Sequence, residues 1–444
     1  MITLLLLTLL AVMPTYHRSS LVVVPAIHLQ DSFAMDIHAA TQTMPFPDKY
    51  DQLPGLDPYS LIITRNDHCN MKQVKDTTAY RGYLKVLNDN NMGQEIVKRW
   101  FNFDAATGFN TAYLAERGFY DASELSKNIA AGTISGEVNV ADAGAELISK
   151  TFVLCNDMAY IDHAARAQVV NDVCTGIAEI SKSVNDAGKE LASSNTGIGL
   201  LDGVLGITGS AMQVASAISD LGTDLTVSTN ELLQIEGFAV LECTYLFQLD
   251  WSPEVQNKFY SDYYTETGDK AKIAAFLADT ETFRLKYVGM MPTVTNNATA
   301  FHLTQYATMD KTKQIAITCS RTLDAAISSL QTKFEPFRVY TPITEVVYNK
   351  KGSAVTGVVA PIGTKESVTA KKKYQILQCT MDRAGRTRYT VLDDNVKANS
   401  KAIWDNRYAV TADESDQTTL NGTTFNTKKN NLFPGLLLIE SSKK

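Results

Sequence analysis

Across its 444 residues the chain carries 41 Lys and Arg against 48 Asp and Glu, a formal charge of −7, with 45% hydrophobic and 20% charged residues. That length supports two or three domains with cores of their own, and the composition excludes wholesale disorder. The negative balance argues against a dedicated nucleic-acid binder, because no basic excess is present to neutralise phosphates.

Ile2 to Met13 form an almost purely apolar run, the length of a signal-peptide core and too short to span a bilayer. We therefore take residues 1–34 as an export leader, including a second apolar patch at Leu21 to Ile27, with a buried N-terminal segment or an uncleaved anchor as alternatives. The expected location is periplasmic or outer-membrane-associated. Residues 28–60 hold four of the twelve prolines and read as an extended lead-in, followed by a short strand at Leu61 to Thr64. Helices dominate from about 78 to 150. In one of them Ile96, Val97, Trp100 and Phe101 line an apolar face opposite Glu95, Lys98 and Arg99. Phe152 to Tyr160 is an apolar strand, and Val169 to Leu191 carries an apolar stripe at helical spacing.

In residues 195–225, glycines 197, 199, 203, 206 and 209 lie among aliphatics and a small-residue helix follows. Ala211, Val214, Ala215 and Ile218 would form one smooth side of that helix, a candidate face toward another subunit, another envelope protein or a membrane surface. The bland alternative is a linker with a helix packed on its own core.

Residues 237–251 alternate, with Ala239, Leu241, Cys243, Tyr245, Phe247, Leu249 and Trp251 at every second position. This predicts a long strand with one buried face. Ser252 and Pro253 then provide an N-cap and a first helical residue, with Val255, Phe259 and Tyr263 repeating along the helix that follows. A second strand is predicted over 281–290, where Glu242 and Asp250 would face Arg284 and Lys286 across a polar side. Residues 291–310 read as a loop, and Ile315 to Phe334 as a helix stopped by Pro336.

A domain boundary is expected at 341–353. The fold class is thus α+β or α/β. A mixed α/β domain spans 35–345, and a small β-barrel or sandwich spans 350–444. In the latter, a hairpin turns at Asp382 to Gly385, and strands are expected at 403–408 and 436–439.

No residue pattern announces a catalyst. The six histidines (17, 28, 38, 68, 163, 302) include no pair spaced by four on a helix, and the six cysteines include no CxxC. No phosphate loop, nucleophile elbow or dinucleotide fingerprint is present. The sequence therefore assigns no catalytic, cofactor-binding or metal-ligating residue. His68-Cys69 reads as a plain loop, because adjacent side chains rarely meet. Trp404 and Tyr408, with Asp405 and Arg407 between them, are candidate ligand-facing aromatics, or core anchors of the β domain.

The order of three segments resembles the periplasmic α/β domain of the curli-secretion-channel family. They are Phe-Val-Leu-Cys-Asn-Asp-Met-Ala-Tyr at 152–160, Tyr-Leu-Phe-Gln-Leu at 245–249 and Phe-Arg-Leu-Lys-Tyr-Val-Gly at 283–289, ahead of a helix over Leu323 to Leu330. Ile-Gly-Thr-Lys-Glu-Ser-Val at 362–368 with Lys-Tyr-Gln-Ile-Leu at 373–377 resembles the small β module ending flagellar assembly protein T. The Ile-Trp-Asp-Asn-Arg-Tyr and Phe-Pro-Gly patterns also resemble exported proteins of gut bacteria. The family's lipidation cysteine and membrane hairpins are missing, and the 195–225 insertion has no counterpart. The resemblance implies an envelope location and oligomer formation. The expected function is a non-enzymatic structural, assembly or secretion-related role, with an envelope hydrolase or a surface ligand-binding module as alternatives.

Overall fold

The computed structural model describes residues 18–56, 61–69, 76, 78–118, 139–162, 238–296, 309–381, 387–409 and 415–441. An α/β unit comes first. Its strands are β1 (Ser20–His28), β2 (Ile63–Arg65), β3 (Thr151–Asp162), β4 (Phe238–Leu249) and β5 (Leu285–Asn296). They form one mixed sheet in the order β2-β1-β3-β4-β5, with β1 parallel to both neighbours and β3, β4 and β5 mutually antiparallel.

The helices of this unit are α1 (Ala34–Thr43), α2 (Tyr80–Asp89), α3 (Met92–Trp100), α4 (Ala112–Gly118), α5 (Asn139–Ser149), α6 (Pro253–Lys258), α7 (Lys270–Ala278) and α8 (Lys311–Lys333). They divide between the two faces. On one face, Leu21, Val23, Phe152, Leu154, Val240 and Leu246 pack under α1 and α8. On the other, Val22, Val24, Val153, Cys155, Tyr245 and Phe247 meet α2 to α5 and an aromatic cluster around Phe101, Phe259 and Phe276. Both faces of β1 are therefore buried, as its unbroken apolar run requires of a parallel strand.

This changes two expectations. β4 has two buried faces rather than one, because α8 covers the side on which Glu242 and Thr244 sit. Glu242 accordingly faces Thr293 across the sheet and no cation, and burial pushes its carboxyl up to about 8. Of the predicted charge pairs only Asp250 with Lys286 forms, at 3.7 Å, while Arg284 turns to Glu281. Ser20–His28, inside the segment assigned to the leader, is a fully buried strand of the folded sheet. Residues 1–17, the stripe at 169–191 and the whole of 195–225 with Ala211, Val214, Ala215 and Ile218 lie outside the described residues.

β5 starts later and runs further than predicted. Its residues 291–296, expected in a loop, continue pairing with β4 as far as Asn296 opposite Ala239. β3 and β4 pair without a break from Phe152 opposite Gln248 to Asp162 opposite Phe238.

The second unit is a seven-stranded antiparallel sheet. Its strands are β6 (Thr341–Pro342), β7 (Glu345–Tyr348), β8 (Val355–Ala360), β9 (Lys373–Met381), β10 (Thr387–Ala398), β11 (Thr423–Asn426) and β12 (Leu437–Glu440), in the order β6-β12-β9-β10-β11-β8-β7. It begins at Thr341, so the stretch 341–348 belongs to the β unit rather than to a connection. β9 and β10 pair antiparallel as predicted, the predicted turn at Asp382 to Gly385 lying outside the described residues, and Val358, Tyr374, Ile376, Val396 and Phe425 fill the core. Residues 403–408 are not a strand. Asp405 instead accepts two bonds from Arg407, at 2.8 and 2.7 Å, which closes a local turn.

The β unit docks on α8 through polar contacts. Ser328 and Ser367 share a hydrogen bond of 3.0 Å, and Arg321 Nε donates to the Tyr408 carbonyl at 2.9 Å. Lys365 lies 3.5 Å from Asp48 and 3.7 Å from Asp324. Among the described residues, no helix is long and apolar enough to cross a membrane.

Candidate functional site

The order of the strands creates a particular place in the sheet. From β1 the chain passes over one face through α1 to β2. From β2 it returns through α2 to α5 over the opposite face, and enters β3 on the far side of β1. The crossovers thus part at the carboxyl ends of β1 and β3, a position where open α/β sheets hold ligands.

His28 is the last residue of β1, and only 1% of it is exposed. Its Nε2 lies 2.8 Å from Asp157 Oδ1 and its Nδ1 lies 2.9 Å from Asp67 Oδ1. Asp67 also accepts from Arg65 Nε at 3.2 Å and, through its other oxygen, from Nη2 at 2.8 Å. Arg65 Nη1 donates to the Tyr83 hydroxyl at 3.0 Å, and that hydroxyl donates to Asp157 Oδ2. The five side chains therefore close a hydrogen-bonded ring: His28, Asp67, Arg65, Tyr83, Asp157 and back to His28.

Each member has a local reason to be there. Period-two alternation puts His28 on the same face as Val22, Val24 and Ala26, and Asp157 on the same face as Val153 and Cys155. Tyr83 lies one turn from Leu87 on the buried side of α2 and packs against Tyr245, with ring centres 4.7 Å apart. Asp31, in the turn before α1, holds the loop after β2. It accepts the Cys69 backbone N–H at 3.0 Å and pairs with His68 Nδ1 at 3.0 Å. His68 thus points to the surface while Cys69 turns inward, so the two do not form a dyad.

The electrostatics follow from burial and pairing. Burial opposes charge on His28, but hydrogen bonding to Asp157, that carboxylate's charge and the Asp67 bond outweigh it and raise the imidazole above its ordinary value. The Arg65 hydrogen bond holds Asp67 below the usual carboxylate range. Burial pushes up the Cys69 thiol and the Tyr83 hydroxyl, with Asp157 adding to both.

One nitrogen of His28, the Cys69 sulfur and one oxygen of Asp157 lie within 4.8 Å of one another. This is the one group of three or more metal-capable side chains so placed among the described residues. No family model and no curated protein matches the chain.

The aromatics that stand out in the sequence do not make a site of this kind. Trp404 is half-buried and its backbone N–H donates to Thr423 Oγ1, while Tyr408 is exposed on the flank that meets α8. A crevice between the units, lined by Lys49, Gln331, Glu366, Tyr374 and Glu440, encloses about 70 Å³, room for only a few water molecules. Spacing in the sequence carries no sign of the His28 cluster. His28, Cys69 and Asp157 are 41 and 88 residues apart, and only the strand order unites them. The one available signal is Asp157, which with Asn156 interrupts the apolar middle of its strand.

Proposed function

We propose that the protein has a structural or assembly role in a bacterial envelope rather than a catalytic one. The observation that carries this is the closure of the switch-point cluster. Both ring nitrogens of His28 are engaged by carboxylates, and only 1% of the residue is exposed. A general base must reach a proton on a substrate, and this imidazole has both nitrogens already hydrogen-bonded within the protein. The polar docking of the β unit on α8, and the position of the three-residue β2 at the edge of the sheet among the described residues, suit a chain that works by holding parts together.

Fractionation and native mass measurement of the full chain test this. The expected result is an envelope-associated species larger than the 48.7 kDa chain. A monomer confined to the cytosol would overturn it. So would a hydrolytic activity of the wild type that is lost in a folded His28→Gln variant.

A further inference from the structure

We propose that His28, Cys69 and Asp157 hold a structural transition-metal ion of zinc type, with Cys243 as its fourth donor. The claim starts from donor chemistry. A nitrogen, a sulfur and a carboxylate oxygen converge within 4.8 Å from three separate elements: the end of β1, the loop after β2 and the middle of β3. Sulfur with imidazole selects zinc and its neighbours over calcium or magnesium, which take oxygen donors. Asp157 and the thiolates of Cys69 and Cys243 bring three negative charges to a dication, less than the four of an all-cysteine zinc site.

The second observation is the support behind each donor. Metal-bound imidazoles characteristically give their other nitrogen to a carboxylate, which fixes the ring. Asp67 does this for His28 Nδ1 at 2.9 Å and is itself held by Arg65. The Tyr83 hydroxyl occupies the outer oxygen of Asp157, leaving Oδ1 toward the ring. Asp31 fixes the backbone of Cys69. All three donors therefore already have the outer partners that ligands need.

The third observation is the register. Asp157 stands directly opposite Ala26 on β1 and Cys243 on β4. Residues opposed in this way bring their Cβ atoms to about 5 Å. Cys243 is buried, reduced and on the same face as Asp157, while Ala26 and Ala159 are small enough to leave space beside the carboxylate. The ion takes the place of the proton between His28 Nε2 and Asp157. Binding releases that proton and those of the thiols, opens the 2.8 Å contact of His28 Nε2 with Asp157 Oδ1 to admit the ion, and brings in Cys243, whose sulfur stands outside the group of three that lie within 4.8 Å of one another. Four protein donors without an open position make a structural site rather than a catalytic one.

The test uses the full chain, purified reduced, stripped with a chelator and titrated with zinc against a chromophoric competitor, then with cobalt. About one equivalent should bind, the cobalt form should show a sulfur-to-metal charge-transfer band, and thermal stability should rise with metal. Cys69→Ser and Cys243→Ser should each weaken that band. Asp67→Asn, at a half-exposed carboxylate, should retain the fold and lower affinity about tenfold to a hundredfold, as outer-shell changes do. Absence of uptake, a cobalt spectrum without a sulfur band, or Cys69→Ser binding like the wild type would each overturn the assignment. A Cys69–Cys243 disulfide in the native protein, seen by mass spectrometry, would also overturn it. Asp67→Asn keeps the question decidable if changes at the buried donors prevent folding.

Discussion

At the scale of single residues, the clearest departure from ordinary burial is Lys333. It closes α8, is 8% exposed, and its Nζ meets no hydrogen-bond partner among the described residues. Burial alone lowers its pKa from 10.5 to about 8. The unfolded chain therefore binds the extra proton between those values, and stability rises with pH across that window. Below about pH 8 the full cost of a buried ammonium is present. Lys333→Met should stabilise the protein at pH 7 by about 2–3 kcal/mol, with the gain shrinking toward pH 10. Denaturant melts of both proteins at pH 7 and pH 10 check this, and an equal difference at the two values would count against it. Lys333 also marks the limit of sequence patterning. A lysine ending an amphipathic helix reads as solvated, and only the packing of α8 against the sheet turns it inward. Cys69 is hidden in the sequence for the same reason, since its chemistry depends on partners in distant strands.

Elements are more legible where one periodicity governs them. The alternation at 237–251 yields β4, the stripe from Ile315 to Phe334 yields α8, and the Ser252 hydroxyl caps α6 by accepting the Val255 N–H, as its place before Pro253 implies. Where tertiary packing competes, the pattern misleads. Val255, Phe259 and Tyr263 imply a regular helix, but the chain widens to a π turn at Phe259–Tyr263, with Tyr264 N–H bonding to the Phe259 carbonyl. Phe283 alternates like a strand residue yet lies before β5, where its ring joins the aromatic cluster and its carbonyl abuts α3. A Cβ on Gly93 would stand 2.3 Å from that carbonyl oxygen. Backbone cannot yield as a side chain can. Gly93→Ala should therefore force α3 off the β5 turn and cost about 1–3 kcal/mol. Thermal unfolding measures this, and an unchanged midpoint would show that the contact is looser than drawn.

At the scale of the molecule, the division into an α/β unit and a β unit is visible in the change from helical spacing to short alternating runs. The boundary expected from the sequence falls several residues late because β6 and β7 are too short to show a period. The polar character of the contact between the units also has no sequence signature, since Ser328, Lys365 and Arg321 look like any surface residues until α8 and the β sheet are set together.

The unbroken register of β3 and β4 has one more consequence. Asp162 and Phe238 are direct partners, so the backbone departs from the sheet and rejoins it one strand spacing away. Seventy-five positions separate two points that a tight turn could bridge. In evolutionary and engineering terms this is a port, a place where the strand pairing on both sides closes at one pair of opposed residues. Replacing 163–237 by a two-residue Asn-Gly turn should leave a cooperatively folding protein whose circular dichroism retains the strand signal and whose His28 cluster still forms. Loss of cooperative unfolding in that shortened chain would mean that the stretch is a strut for the sheet, and not cargo delivered by it.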